Sequence, residues 1–243
     1  MSADELSAGS GAEATDQRTF LREGEIEVEG RMPWSSNATF LVTVHHDGTS
    51  HRAIYKPVRG ERPLWDFEPG LHRREYAAYV LSEHVGLGVV PTTIIRDGPF
   101  GEGSLQWFVE ADHSEHYFTI FEQRTDLHDQ LRSIAVFDLL ANNTDRKSGH
   151  CLLADDRVWA IDHGLCFAAP SKLRTVIWEF AGEEIERTVV EAVAELVASV
   201  PLTLATLLDD AEVDAIRRRA RTLVELPVFP SDETGGRYPW PLV

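Results

Sequence analysis

The spacing of apolar residues changes once along the chain, near Asp112, and this change limits the possible folds more than any other feature. Before it, segments such as TFLVTVHH and HRAIYKPV alternate apolar and polar residues around turns such as DGTS, which predicts antiparallel strands. The segment LHRREYAAYVLSEHVG interrupts them with a helical pattern that ends at Gly86. After Asp112 most segments, beginning with DLHDQLRSIAVFDLLANN, have helical spacing. The sequence therefore predicts an α+β fold, with an antiparallel sheet and one helix first and a mostly helical lobe second.

Composition divides the chain into three parts. Residues 1–18 are rich in small and acidic residues, which predicts a disordered tail without the basic and apolar regions of a signal peptide. We expect an N-terminal lobe at residues 19–111 and a C-terminal lobe at residues 112–243.

Charge and hydropathy exclude several classes of partner. The formal net charge of −17 repels nucleic acid and anionic membrane surfaces, so neither is expected as a partner. No apolar run reaches the roughly 18 residues that a membrane-spanning helix needs. With only two cysteines, Cys151 and Cys166, the chain is expected to be a cytoplasmic protein with reduced thiols.

Lysine is rare in this sequence: it occurs only at Lys56, Lys147 and Lys172, and the rest of the 23 basic residues are arginines. An ammonium group is a compact point charge on a flexible stem, whereas a guanidinium group is a planar fork. At a site that requires a compact ammonium group, arginine is a poor substitute for lysine. The three lysines are therefore candidates for functional positions, with chance as the alternative.

The stretch from Asn142 to Gly164, NNTDRKSGHCLLADDRVWAIDHG, places charged residues between two apolar runs. Asp145 and Asp162 each lie next to a predicted strand of a strand–turn–strand unit. From these residues alone, the stretch is a solvated hairpin, a metal site or a site that handles phosphate. Two carboxylates around one hairpin favour the last of these.

Four segments resemble the phosphatidylinositol 3- and 4-kinase-like family, and most closely the type II phosphatidylinositol 4-kinases: AIYKP, GSLQWFVE, NNTDRKSGHCLL and AIDHGLCF. They occur in the family's order and span most of residues 30–170, as in a small bacterial member. The resemblance implies a protein-kinase-like two-lobed fold that binds ATP with Mg²⁺ or Mn²⁺ and transfers a phosphoryl group.

In the N-terminal lobe, the resemblance makes Lys56 the lysine that binds the α- and β-phosphates, with Glu75 as its ion-pair partner. The segment RMPWSSNATF stands in place of a glycine-rich loop and either binds phosphate or is an ordinary β-turn. Its candidate residues are Ser35, Ser36 and Asn37. The resemblance also implies a hinge whose backbone binds the adenine edge, at Phe108, Val109 and Glu110.

In the C-terminal lobe, the resemblance makes Asp145 the catalytic-loop carboxylate that accepts or orients the proton of the attacking hydroxyl. Arg146 follows it as in lipid kinases and is a candidate catalytic residue. Lys147 stands where many protein kinases have a lysine that contacts the γ-phosphate. Asp162, in AIDHG, matches the aspartate that binds the metal ion.

The sequence departs from the family pattern at two places. His150 stands where the family has a metal-binding asparagine; imidazole suits Mn²⁺ better than Mg²⁺. His150 therefore binds the metal, holds Asp162 by a hydrogen bond, or marks weakened catalysis. The loop RGERPLWDFEPGLH lacks the cysteines of the palmitoylated insertion of the type II enzymes, which together with the acidic charge argues against a phosphoinositide substrate. The acceptor is then a small molecule or a protein hydroxyl, with a lipid headgroup as the disfavoured alternative.

Three functions are consistent with these residues. The first is an ATP- and metal-dependent kinase that phosphorylates a hydroxyl of an unidentified acceptor. The second, which His150 and the missing glycine-rich loop motivate, is a nucleotide-binding pseudokinase or scaffold. The third is a nucleotidyl transferase that attacks the α-phosphate.

Overall fold

The computed structural model describes residues 16–33, 37–65 and 67–242, which form two compact units. Unit 1 contains the described residues up to Tyr76 together with Pro91–Phe108. Unit 2 contains Ala77–Val90 and the described residues from Val109 onward. The strands of the main sheet lie in unit 1 and most helices lie in unit 2, so the predicted α+β fold is confirmed.

Unit 1 is built on an antiparallel sheet with the strand order β1-β2-β3-β5-β4. Its strands are β1 (Glu25–Arg31), β2 (Phe40–His46), β3 (Thr49–Pro57), β4 (Thr93–Gly98) and β5 (Gly101–Trp107). The predicted turn between β2 and β3 is a two-residue hairpin, with φ of 47° at Asp47 and 75° at Gly48. Positive φ at both positions matches the right-handed twist of the strands, which is why Asp-Gly is favoured there.

The core of unit 1 lies on one face of this sheet. Alternate residues of β2 and β3 are fully buried there, namely Val42, Val44, Ala53 and Tyr55. Residues 16–23 form helix α1, whose Leu21 is fully buried in the same cluster. The predicted disordered tail at residues 1–18 was therefore wrong for residues 16–18, because burial of Leu21 holds the helix on the sheet. Residues 1–15 lie outside the described part of the chain.

A close approach between β3 and β5 lies beside Lys56. Gly103 pairs with Pro57, and a Cβ atom at position 103 would lie 2.5 Å from the carbonyl oxygen of Lys56. Only glycine fits this distance without a shift of the backbone. Gly103 therefore allows β5 to pair closely with β3 beside Lys56, the candidate phosphate-binding residue.

Helix α2 (Leu71–His84) begins in unit 1 and ends in unit 2. The other helices belong to unit 2: α3 (Tyr117–Gln123), α4 (His128–Ala141), α5 (Arg187–Ala198), α6 (Leu202–Ala205) and α7 (Asp210–Glu225). Strands β6 (Cys151–Ala154) and β7 (Arg157–Ala160) form the predicted hairpin. In the part of the chain that the structure describes, no helix is both long and apolar enough to cross a bilayer.

Helices α3 and α6 were not predicted, because each is too short to show a helical period. Helix α3 has only 7 residues, and it is held by the burial of Tyr117 and Ile120. Helix α7 has a clear local signal: Asp209 accepts a hydrogen bond from the backbone of Glu212, and the Glu212 carboxylate accepts one from Asp209 in return. This capping box satisfies amides that the first turn leaves without intrahelical partners.

Candidate active site

In unit 1, Lys56 on β3 forms an ion pair with Glu75 on α2, as the sequence predicted. Strand β3 pairs with β2 on one side and β5 on the other, so the backbone of Lys56 is held within the sheet. The Glu75 side chain is 4% exposed and that of Lys56 is 22% exposed. An ion pair with one buried partner restricts the directions in which the ammonium group can point.

The start of α2, which carries Glu75, is held by a carboxylate from the preceding loop. Glu61 accepts hydrogen bonds from the backbone N–H groups of Gly70 and His72, at 2.8 and 2.9 Å, and lies 2.9 Å from the His72 ring. Burial alone would raise the pKa of Glu61, but these hydrogen bonds outweigh it and lower the pKa to about 2. Glu61 therefore remains a carboxylate and fixes the first turn of the helix.

Two of the remaining unit 1 candidates, Asn37 and Phe108, have contacts within that unit. Ser35 and Ser36 lie outside the described residues. The side-chain oxygen of Asn37 accepts a hydrogen bond from the backbone of Arg62 at 2.9 Å, which closes a loop within unit 1. Phe108, the last residue of unit 1, donates its N–H to the carbonyl of Arg52 at 3.2 Å.

The other two hinge candidates, Val109 and Glu110, belong to unit 2. The carbonyl of Val109 accepts a hydrogen bond from Ala111 at 3.0 Å, and Glu110 is exposed. These contacts describe a turn in the chain. The predicted role of this segment in binding adenine stays a prediction.

In unit 2, the loop after α4 carries Asp145 and Lys147 as an ion pair of 3.2 Å. Helix α4 ends at Asn142, whose φ of 49° turns the chain away from the helix. Asn143 then accepts a hydrogen bond from the backbone of Asp145 at 3.0 Å. Burial raises the pKa of Asp145, the Lys147 ammonium lowers it, and the negative charge of Asp162 raises it, with a net upward shift. Asp145 and Asp162 therefore lie close enough to interact electrostatically.

Asp162 follows β7 in a left-handed conformation, with φ of 61°. Among residues other than glycine, aspartate and asparagine tolerate this region best. Its side chain is 52% exposed, and its Oδ2 atom lies 3.6 Å from Nε2 of His150. This separation is too long for a hydrogen bond.

The His150 ring is oriented by the contacts of its Nδ1 nitrogen. Nδ1 lies 3.0 Å from the carbonyl oxygen of Asp145 and 3.4 Å from the backbone nitrogen of Lys147. One nitrogen cannot donate to the first and accept from the second, and the shorter contact favours Nδ1–H donating to the carbonyl. The neutral ring then has its lone pair on Nε2, the nitrogen that faces Asp162.

Arg146 is fully buried, and its predicted catalytic role stays a prediction. Its guanidinium group forms an ion pair of 2.9 Å with Asp138 of α4 and donates to the carbonyls of His150 and Ile161. Burial alone would lower the pKa of Arg146, but the Asp138 carboxylate outweighs it and raises the pKa. Through these two hydrogen bonds Arg146 joins the start of the hairpin, at His150, to its end, at Ile161.

The sequence reasoning missed Asp138, which is the centre of this network. Its carboxylate accepts hydrogen bonds from the side chains of Asn143, Arg146 and Thr175. The Arg146 guanidinium also lies 2.8 Å from Nε2 of His163. One signal was available in the sequence: Asp138 lies among the apolar positions of α4, between Phe137 and Leu139. A carboxylate on the buried face of a helix requires partners.

The side chains near Asp162 fit a magnesium or manganese ion that is completed by other ligands. Among the described residues, no group of three or more His, Cys, Asp and Glu side chains forms a complete metal site. Mg²⁺ is usually held by one or two carboxylates together with water and substrate phosphates, so a complete protein cage is not required. The 3.6 Å between Asp162 and His150 is compatible with two ligands that share one ion at about 2.1 Å each.

A model of the family described as phosphatidylinositol 3- and 4-kinase matches residues 71–219 of this chain. The chain belongs to that family, and its fold is kinase-like. Protein Rv2133c of Mycobacterium tuberculosis is 39% identical over 264 residues, which cover 93% of this chain and 95% of that protein. The predicted closeness to the type II enzymes stays a prediction.

Two solved structures are similar to this chain at low sequence identity. The structure of hydra Fam20 with sugar has a TM-score of 0.55 and 12% identity, and the match covers 88% of each chain. This likeness concerns the fold alone. The Helicobacter pylori proinflammatory kinase CtkA has a TM-score of 0.45 and 11% identity, over 85% of this chain and 94% of that chain.

Proposed function

We propose that this chain is an ATP-dependent phosphotransferase that moves the γ-phosphoryl group to a hydroxyl of its acceptor and requires a divalent metal ion. The observation that carries the proposal is the loop geometry of unit 2. There Asp145 is paired with Lys147, and the His150 ring lies 3.0 Å from the Asp145 carbonyl oxygen and 3.6 Å from the Asp162 carboxylate. Family membership supplies the reaction class, and the acceptor is a small molecule, a protein or a lipid headgroup.

Each charged residue has a role that its chemistry supports. Lys56, aimed by Glu75, neutralises charge on the α- and β-phosphates. Asp162 and His150 hold the metal ion, which supplies neutralisation of charge on the β- and γ-phosphates when bound. Lys147 contacts the γ-phosphate.

Asp145 accepts the proton of the attacking hydroxyl. The new bond joins the acceptor oxygen to the γ-phosphorus, and the bond from the γ-phosphorus to the bridging oxygen breaks. ADP leaves with that oxygen. Charge neutralisation and alignment are the main contributions of a protein to this reaction.

Parallel incubations with ATP labelled at the γ-phosphate or at the α-phosphate test the proposal. Released ADP with label from the γ-position on the acceptor, or on the protein itself, is the expected result. Pyrophosphate with label from the α-position indicates nucleotidyl transfer instead. Nucleotide binding without either product, with Mg²⁺ and with Mn²⁺, indicates a pseudokinase. Asp145→Asn serves as the background control in each incubation.

The metal preference is predicted to depend on His150. The 3.6 Å contact argues against a hydrogen bond to Asp162, and the Nε2 lone pair suits metal ligation. His150→Asn replaces this nitrogen by an amide oxygen, so affinity for Mn²⁺ should fall and the preference should shift toward Mg²⁺. Mn²⁺ binding is measured by electron paramagnetic resonance with a non-hydrolysable ATP analogue, and rates are measured with each metal. Equal Mn²⁺-to-Mg²⁺ ratios in both proteins contradict ligation by His150.

A further inference from the structure

The segment 237–242 lies against the loop that carries Asp145 and Lys147. The backbone N–H of Ser148 donates to the carbonyl of Leu242 at 2.8 Å. The backbone N–H of Thr175 donates to the carbonyl of Arg237 at 3.0 Å. Ser148 is 0% exposed and Thr175 is 3% exposed, so both amides are buried groups that need an acceptor.

A turn closed by Asp232 precedes this segment. Asp232 accepts hydrogen bonds from the hydroxyl of Thr234 at 2.7 Å and from the backbone of Arg237 at 2.8 Å, which closes a turn. Beyond the turn Pro239 is buried, whereas the side chain of Trp240 is 89% exposed. The segment is therefore anchored by its backbone and by Pro239, and the large indole makes little contact with the protein.

The two amides belong to the framework of the candidate catalytic groups. Ser148 is the first residue of a 3₁₀ turn, Ser148–His150, which separates Lys147 from the His150 ring. Thr175 is paired with Arg146 in a short parallel bridge, and its hydroxyl donates to Asp138 at 3.2 Å. Movement of either amide would therefore displace the loop between Asp145 and His150.

We propose that the carbonyl groups of Arg237 and Leu242 are positioning groups of the phosphotransfer site, which hold the catalytic loop in place through the Thr175 and Ser148 amides. This inference rests on the proposed function. It assigns the segment a role in positioning Asp145, Lys147 and His150 of unit 2, and none in positioning Lys56 and Glu75, which belong to unit 1.

Removal of residues 237–243 is expected to lower kcat for ATP turnover at least tenfold. The affinity for metal-free ATP, which is assigned to Lys56 and Glu75 of unit 1, should stay within about twofold. Trp240→Ala is the matched control: it removes the exposed indole and keeps both carbonyl acceptors, so kcat should stay close to that of the unaltered chain. A loss of affinity for metal-free ATP as large as the loss of kcat contradicts the proposal. An increase in kcat on removal also overturns it, since the segment would then be an inhibitory strap.

Substitutions at Ser148 isolate one of the two hydrogen bonds and do not depend on the folding of a shortened chain. Lys147 has φ of −82° and ψ of 161°, which proline tolerates in the preceding residue, and proline is favoured at the first position of a helical turn. Ser148→Pro therefore removes the N–H donor with the turn retained. Ser148→Ala keeps the N–H and removes only a buried hydroxyl that has no hydrogen-bond partner among the described residues. We expect kcat of the proline variant to be at least tenfold below that of the alanine variant.

Amide hydrogen exchange tests the positioning role without turnover. The Ser148 and Thr175 amides should be protected in the full chain and lose protection when residues 237–243 are removed, while amides of β2 and β3 keep theirs. Protection that survives the removal overturns the proposal. If the removal causes this loss of protection but the full chain never turns over ATP, the proposed function fails, while the contact of the segment with the loop stands.

Discussion

Asp162→Asn is expected to abolish metal-dependent nucleotide binding, whereas Asp145→Asn is expected to keep binding and to lower transfer by at least about 100-fold. In the proposed mechanism the two carboxylates have different roles: Asp162 is a ligand of the metal ion, and Asp145 accepts a proton from the attacking hydroxyl. Neutralising the first removes the charge that the divalent cation needs. Neutralising the second removes the proton acceptor and leaves the metal ligands intact.

Asparagine suits both tests because it changes charge with little change in shape. At position 162 the backbone has φ of 61°, and asparagine tolerates this left-handed region as well as aspartate does. At position 145 the N–H that Asn143 accepts is a backbone group, so the loop keeps that hydrogen bond. Thermal unfolding of both variants is the control for the fold.

Calorimetric titration of a non-hydrolysable ATP analogue, with and without metal, separates the two roles when it is combined with transfer rates. The metal-dependent increase in affinity should disappear in Asp162→Asn and remain in Asp145→Asn. Equal losses of binding and of transfer in the two variants are inconsistent with the assigned roles.

Lys56→Met is expected to lower nucleotide affinity or turnover at least tenfold. The backbone of Lys56 is fixed by its pairing with β5, and the ion pair with Glu75 restricts the direction in which the Lys56 ammonium group points. Methionine retains an unbranched side chain of similar length, so the packing along β3 changes little. Glu75→Gln should act in the same direction with a smaller effect, because it disturbs the aim of the charge and keeps the charge itself.

A double variant separates lost function from lost stability. Lys56→Met removes the cation beside Glu75, whose side chain is 4% exposed, and a buried charge deprived of its counterion destabilises a fold. Lys56→Met combined with Glu75→Gln removes both charges and should recover thermal stability without recovering activity. A folded Lys56→Met protein with unchanged nucleotide affinity and unchanged turnover rate would show that Lys56 contributes to neither.

Local sequence determined much of unit 1 and the main candidates for chemistry. The alternation in TFLVTVHH and HRAIYKPV predicted β2 and β3, since side chains of a strand alternate between the two faces of a sheet. Asp-Gly predicted the hairpin because few residue pairs adopt positive φ twice in succession. The rarity of lysine made Lys56 a candidate functional residue, and the ion pair of Lys56 with Glu75 is present in the structure.

Tertiary structure alone decided the burial of Arg146 and the contacts of the segment 237–242. In the sequence Arg146 stands between Asp145 and Lys147, whereas in the structure it is fully buried and paired with Asp138 on α4. The hydrogen bond between Ser148 and Leu242 joins residues that are far apart in the chain. Periodicity and turn propensity describe neighbours along the chain, whereas these contacts depend on which buried donors lack a local acceptor. Such partners become definite only when the helices and loops of unit 2 are packed together.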